Sequence, residues 1–522
     1  MSQDTEKSGK IVFKDYHQHQ ISLLPPSFEE LINPKHLVRV VNGVIDRIDL
    51  NILEQAYVGG GASNYHPRMM LKVLVYAYSI KTYSCRRIDQ ALGQDIHFMW
   101  LSGMQRPDFR TINNFRSGSL KTIIEKVFAE VLDFLMEQGY VKLENYFVDG
   151  TKLQADANRH TAVWGKNTTR YKERLQANVK ELFHQIDEQN HQEDQQYGDQ
   201  HYESEGHGSS LGSEQIHQKA VELNEKLTQT DDKKEQRKVK SLQRKLQKAA
   251  MKMEHYQNQE QVLAGRRSYS KTDPGAIFMR MKDGQFLPAY NVIQGTEDQF
   301  IVNYTIAQSS GETHLLKEHL QQLEERVGKL PQNIVGDAAY GSEENYAYLK
   351  DKSCEAYLKY TGYYHEQTRE HKGDRFHRDN FPYDPLADSF TCPAGEKLIR
   401  KTTTTQTNPN GYQRVTAHYE SRNCEGCNLA DLCKKKEQER RQVTLNSTWE
   451  KFKTQARQRL FTEKGINLKK QRSVDVESTF GDIKYNQGYN RFRLRGLKKV
   501  NIEWGLIAIS HNLRKVAIRA AA

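Results

Sequence analysis

A chain of 522 residues is long enough for two or three cores, and its 37% apolar and 27% charged residues fit a globular protein with some solvated appendages. A formal net charge of +11 favours a polyanionic partner, either nucleic acid or an acidic membrane surface. No apolar run approaches the roughly 18 residues of a membrane span, and the polar, mixed-charge residues 1–10 exclude a secretory signal, so a cytoplasmic protein without a membrane partner is expected.

The charge is concentrated. Residues 434–515 hold 21 Lys and Arg against 8 Asp and Glu, a local +13 that leaves the remainder near −2. One focused phosphate-binding surface would look like this, as would a merely solvated basic face.

In chain order, residues 1–26 read as an irregular arm ending at Pro25-Pro26. Helical signals fill 27–140. Ser27 to Glu30 is a candidate capping box, and His66-Pro67 opens a helix through Met70, Leu71, Val73, Leu74, Ala77 and Tyr78. Ser84 is placed to cap the next helix, with Arg86 and Arg87 on its first turn. Pro107-Asp108 opens another, bearing Arg110, Asn113, Asn114 and Arg116, and 119–136 reads as a longer helix. Such short helices can present one of their number to a DNA groove, or serve only structure and dimerisation.

The pattern changes at Tyr146-Phe147-Val148, a short strand ending at Asp149-Gly150-Thr151. Segments 286–294 and 300–307 read as a hairpin joined by Gly295-Thr296-Glu297-Asp298, followed by a helix at 313–327. A strand at 333–336 ends in Asp337; a helix at 343–350 and a strand at 355–359 complete a mixed sheet covered by helices. Residues 141–360 and 471–516 are thereby assigned to one α/β (mixed) unit.

Two insertions interrupt it. Residues 165–262 lack proline; Leu175, Val179, Leu182 and Ile186, then Val239, Leu242, Leu246, Ala249 and Met253, recur at helical spacing around a polar stretch at 188–213. This predicts a coiled-coil-like helical hairpin, a candidate dimer or DNA clamp. Residues 361–470 form a Cys-rich basic insertion in which Cys392 is followed by Cys424, Cys427 and Cys433. One CxxC pair plus two further cysteines can close a tetrahedral Zn²⁺ site, hold an iron–sulfur cluster, or remain free thiols. Cys85 and Cys354 read as ordinary buried thiols.

Asp149 and Asp337 end expected strands, and Glu477 lies on an expected helix. Carboxylates are the hard oxygen ligands that Mg²⁺ or Mn²⁺ prefer, and two such ions can activate the attacking oxygen and stabilise the leaving oxygen of a phosphodiester. Lys484 follows Glu477 by seven residues, two helical turns, and can hold a phosphate beside the ions. Beyond it, Tyr485, Tyr489, Arg491, Phe492, Arg493 and Arg495 interleave aromatic and cationic groups. Asp156 and Asp273 compete for the first acidic position, and Asp475 and Asp482 for the last.

Taken together, YHPRMMLKVLVYAYSIKTYSCRRIDQAL with RPDFRTINNFR, then VDGTKLQADANR, GDAAYGSEENY and VESTFGDIKYNQGYNRFRLRGLKKVNIEWGLIAISHNLRK, resemble the DDE transposases of bacterial insertion sequences over nearly the whole chain. The resemblance implies an RNase H-like catalytic core and Asp149, Asp337 and Glu477 as a metal-binding triad. It implies Lys484 as a phosphate contact; Arg491, Arg493 and Arg495 of the interleaved stretch, and Arg86, Arg87, Arg110 and Arg116 of the N-terminal helices, are candidate DNA-binding residues from their own placement. It also implies terminal inverted repeats and target DNA as partners, a homodimer on DNA, and a nucleoid location when bound. A nuclease of the same fold and an inactive DNA-binding descendant are the alternatives. Relatives place a Tyr and an Arg seven and four residues before the glutamate; here those positions are Lys470 and Ser473, with Arg472 one place off. Similar cysteine patterns in relatives favour structural Zn²⁺.

Overall fold

The computed structural model describes residues 27–54, 64–197, 212–229, 233–434 and 437–521. The expected arm at 1–26 and the middle of the polar stretch, 198–211, lie outside the described residues.

Short helices lead. Pro67–Ser79 starts where the His66 ring accepts the Arg68 amide, and Pro67 sits in the first turn, where a missing N–H costs nothing. Asp108 caps Phe109–Ser117 through the Thr111 amide. Ser84 precedes Cys85–Gln94 without making the expected capping bond. The long helix expected at 119–136 is broken once: a 3₁₀ turn, Ser119–Thr122, leads into Ile124–Glu137.

The sheet that follows comprises β1 (Asn145–Gln154), β2 (Ile277–Arg280), β3 (Phe286–Glu297), β4 (Phe300–Ala307), β5 (Asn333–Gly336) and β6 (Glu355–Leu358). β3 pairs antiparallel with β1 on one side, and with β2 and then β4 along the other. β5 and β6 continue the sheet from β1 in parallel. The β3–β4 turn is Asp298-Gln299, both left-handed with φ of 51° and 64°. That two-residue geometry matches strand twist and lets pairing run through Gly295-Thr296-Glu297, expected as loop. Gly295 must lack a side chain, because a Cβ would strike the Tyr146 ring. Glu297 accepts the amides of Lys142, Leu143, Glu144 and Asn145 at 2.8, 2.6, 2.7 and 3.0 Å, which fixes the entry to β1.

One apolar core joins the N-terminal helices, both faces of the sheet and the C-terminal helix Leu497–Ala521. Trp504, Leu506 and Ile509 of that helix are completely buried. The helical region at 27–140 therefore packs with the sheet in one core.

The first insertion stands on a two-stranded ribbon, Ala162–Trp164 against Ser268–Ser270, so its ends are tied together. It contains three helices, one more than the expected hairpin: Gly165–Tyr197, Ser213–Gln229 and Lys233–Leu263. Ile216, Ala220 and Leu223 of the added helix pack with Val179, Ile186, Val239, Leu242, Leu246 and Met253. In the second insertion, five antiparallel strands between 383 and 445 enclose a small core of Phe381, Phe390, Leu398, Ala417, Tyr419 and Val443. Ala456, Leu460 and Leu468 already belong to the main core, so the chain rejoins it with helix Ser447–Phe461, well before residue 471.

Candidate active site

Asp149 lies in the middle of β1, not at its end, opposite Gln294 of β3. Gly150 makes no turn there. Its missing side chain leaves room for the Glu312 carboxylate, which a Cβ would hit. Asp337 follows β5 directly, as expected, and its Oδ1 accepts the Ala339 amide at 2.8 Å in an Asx turn. Since β1 and β5 are parallel neighbours with Phe147 opposite Val335, Asp149 and Asp337 come level with one another on adjacent interior strands.

The third carboxylate arrives on a continuous helical stretch, 463–486, which contains two π-helical turns, Ser473–Glu477 and Asp482–Asn486. A π turn absorbs an extra residue and brings positions five apart onto one face. Arg472 and Glu477 are five apart, and the Arg472 guanidinium reaches Glu477 Oε1 at 2.6 Å. The same guanidinium lies 3.4 Å from Asp149 Oδ1 and 4.0 Å from Asp337 Oδ2. Three distant acidic side chains thus surround one cation whose side chain is only 11% exposed. The π turn thus sets Arg472 on the same face as Glu477.

Electrostatics at the site follow from burial and from the excess of negative charge. Burial pushes the Asp149 carboxyl up to about 6; Arg472 pulls it down and Asp337 pushes it up again. Glu312, invisible as a site residue in the sequence, is also raised by burial and feels Asp337. Tyr340 is fully buried beside Glu312. Lys484 bonds Thr151 Oγ1 and, at 3.2 Å, the Lys152 carbonyl. Burial, with Lys282 nearby, draws its ammonium down to about 8 against the pull of Asp149. Lys484 therefore stands beside β1, two residues from Asp149.

The rival acids face elsewhere. Asp475 is buried against Thr296 Oγ1 at 2.5 Å and the Gln299 amide at 3.0 Å. Asp482 pairs with Arg514 at 2.7 Å. Asp273 accepts the Tyr290 hydroxyl and the Gly496 amide, both at 3.0 Å, in a structural role. Asp156 pairs with Arg491 and Arg495, each at 2.9 Å.

Among the expected DNA-facing residues, Arg86, Arg87, Arg110, Arg491, Arg493 and Arg495 are exposed. Arg86 and Arg110 both lie over the Phe109 ring, and Arg493 over that of Tyr83. Arg116 is a correction: it is buried, and its guanidinium donates to the Tyr83 carbonyl at 2.9 Å. The interleaved aromatics need a second correction. Tyr489 and Phe492 are buried around Trp504, so only Tyr485, 84% exposed, can meet a base. Buried Glu503 accepts the Arg493 and Leu494 amides at 2.9 and 3.0 Å, locking the basic loop to the core.

Cys392, Cys424, Cys427 and Cys433 line one pocket, with no disulfide among them. Cys392 Sγ accepts the Glu396 amide at 3.3 Å, and Cys424 Sγ the Arg441 amide at 3.4 Å. No three of their sulfurs lie within 4.8 Å of one another. Cys85 and Cys354 are buried as expected, and burial raises both thiols.

Two family models match parts of the chain. A family model for a transposase DDE domain matches residues 391–517, and one for a transposase domain (DUF772) matches residues 26–118. These matches indicate an enzyme of DNA transposition, one that acts on DNA by cleavage and transfer. Together they support a DDE-type transposase of an insertion sequence. Glu477 and Lys484 fall within the first matched stretch; Asp149 and Asp337 fall within neither. No curated protein and no solved structure matches the chain significantly.

Proposed function

We propose that the chain cuts DNA at the ends of its own mobile element and joins those ends to target DNA, using divalent ions held by Asp149, Asp337 and Glu477. The observation that carries this reading is the convergence of the three carboxylates on Arg472. Carboxylates outnumber the guanidinium three to one, so the cluster retains a demand for positive charge. Its donors are hard oxygens suited to Mg²⁺ or Mn²⁺. The strand order β4-β3-β1-β5-β6, antiparallel for the first three and parallel from β1 onward, supports an RNase H-like core.

Bound there, the ions would activate the attacking oxygen and neutralise charge on the leaving oxygen of the scissile phosphate. Asp149 and Asp337 are fixed by the sheet; Glu477 rides on a helix interrupted by π turns and can adjust. Arg472 holds the carboxylates together before the ions enter. Lys484 contacts a phosphate oxygen beside Asp149. Water attacks the phosphodiester at the element end, releasing a 3′-hydroxyl. That hydroxyl attacks a target phosphate, forming the new P–O bond as the target strand's bond breaks.

The DNA path extends beyond the site. On helix Lys233–Leu263, Arg237, Lys238, Lys240, Arg244, Lys245, Lys248 and Lys252 are all exposed, with no acidic residue between 236 and 253. Lys240, Arg244, Lys248 and Lys252 repeat at i,i+4, where like charges repel by a few tenths of a kcal/mol per pair. A DNA backbone relieves that repulsion, which favours a DNA clamp for the first insertion. Two element ends acting together would need a dimer on DNA. Structural Zn²⁺ at the four cysteines fits their thiolate chemistry and amide-to-sulfur bonds.

Labelled element ends incubated with the protein and Mg²⁺ or Mn²⁺ test the proposal. Cut ends and joined products are expected, both abolished by chelation and restored by the ion. Cut ends without joined products would reduce the activity to that of a nuclease; neither product, in protein that binds the ends, would overturn the reading.

A further inference from the structure

The segment joining β6 to the Cys-rich sheet is ordered with little apolar support. Between Tyr363 and Phe381 it folds into three single turns, His365–Gln367, Arg369–Gly373 and Arg378–Asn380. The only buried residue between those two aromatics is a histidine, His371. Turns this short make too few hydrogen bonds to hold themselves, so something other than a core fixes them.

Histidines recur there at six-residue intervals, His365, His371 and His377, with Asp379 close behind. His371 Nε2 and His377 Nδ1 each lie 3.7 Å from Asp379 Oδ2. That is too long for a hydrogen bond and close to the roughly 3.4 Å that separates ligands on a tetrahedral Zn²⁺ with bonds near 2.0–2.1 Å. The two imidazole rings sit 4.3 Å apart, centre to centre. Among the described residues, this is the one group of three or more His, Cys, Asp or Glu whose ligand atoms all lie within 4.8 Å of one another. The other oxygen of the carboxylate is already held: Asp379 Oδ1 takes the Arg378 guanidinium at 2.5 Å, and that guanidinium also reaches Glu450 at 2.6 Å. A carboxylate anchored on one oxygen and free on the other is oriented as metal ligands usually are. His377 Nδ1 also accepts the Asp379 amide at 3.3 Å, a long bond that coordination would replace.

We propose that His371, His377 and Asp379 form a second metal site, one that takes Zn²⁺ or a similar first-row ion and ties the turns of this segment to one another. Two imidazoles and one carboxylate select such ions over Mg²⁺, so the site is chemically separate from the carboxylate cluster. It is also separate from the cysteines, which offer only sulfur. His371 and Asp379 line a cleft together with Lys372, Asn380 and Lys453, so water can reach a fourth position. Metal affinity here is folding free energy for the segment.

Co²⁺ titration of the full-length, metal-stripped protein separates the sites, because only thiolate ligation gives sulfur-to-metal charge-transfer absorption. The expected result is one equivalent bound with the intense d–d bands of tetrahedral Co²⁺ and no such charge transfer, and it persists in Cys424→Ser/Cys427→Ser and in Asp149→Asn/Asp337→Asn, which removes the carboxylate cluster's own claim on the ion. His377→Ala and Asp379→Asn should each weaken that equivalent by roughly tenfold or more, while any thiolate signal is unchanged. These positions are chosen because His371 is buried and its loss could unfold the segment; unchanged circular dichroism of the metal-free variants controls for folding. A titration of the wild type that shows no non-thiolate equivalent overturns the proposal. So does a tetrahedral equivalent that survives both His377→Ala and Asp379→Asn.

Discussion

The acidic cluster and the Cys/His-rich insertion both gather ligand-type side chains, yet they hold them by different means. Asp149 and Asp337 follow Tyr146, Phe147, Val148, Ile334 and Val335, all essentially buried in a core that runs through the N-terminal helices and the C-terminal helix. The insertion's sheet encloses six buried apolar residues, and the segment leading to it encloses fewer still. A large core can hold like charges together at a cost; a small one needs its ligands to hold it. Geometry preformed around Arg472 suits chemistry, whereas the cysteines and histidines suit cross-linking of a thin fold.

The contrast can be broken or sharpened by experiment. Trp504→Ala removes a fully buried indole packed against Phe480, Tyr489 and Phe492, and should cost about 3–5 kcal/mol in denaturant unfolding. The helical region and the sheet should unfold together; separate transitions would divide the shared core.

Next in size is Asp482→Asn. Burial alone would raise the Asp482 pKa, but His511 and Arg514 hold it far below the ordinary carboxylate range. A depressed folded-state pKa contributes stability that is present above the unfolded value near 3.9 and is lost as pH falls through the folded value. The substitution should therefore cost about 2 kcal/mol at pH 7, and the difference from wild type should shrink on acidification below about pH 4. A difference independent of pH would remove the ion pairs from the explanation.

The smallest effect on folding is expected on the basic helix. Changing Lys240, Arg244 and Lys248 to Gln should move stability by no more than about 0.5 kcal/mol. Plots of log affinity for DNA against log salt should flatten by about 0.9 for each phosphate that is no longer neutralised. An unchanged salt slope would leave that helix as a solvated face.

How much of this could be read from the sequence depended on whether a residue's neighbours in the chain were also its neighbours in space. Asp337 at the end of its strand and the apolar spacing of Pro67–Ser79 are local patterns, and both were legible. Asp149 is recognisable but reads as the end of its strand, because Gly150 reads as a turn until Glu312 is seen to occupy its missing side chain. Glu312 itself sits in an unpatterned loop and reaches the site only through the fold. Arg472 escapes an α-helical ruler, since its five-residue spacing from Glu477 is in phase only in a π turn. Arg116, Tyr489 and Phe492 carry surface-binding residue types, yet long-range packing buries them. The third helix of the first insertion lies within a stretch whose polar composition hides Ile216, Ala220 and Leu223.

The most direct test compares cleavage of labelled element ends by wild type, Asp149→Asn, Asp337→Asn and Glu477→Gln in Mg²⁺, alongside end binding. If the three carboxylates act as one unit, each substitution should lower cleavage by roughly 10³-fold or more, while binding of the ends stays within a few-fold of wild type. Cleavage at the wild-type rate by any one of the three would remove that residue from the cluster and contradict the account.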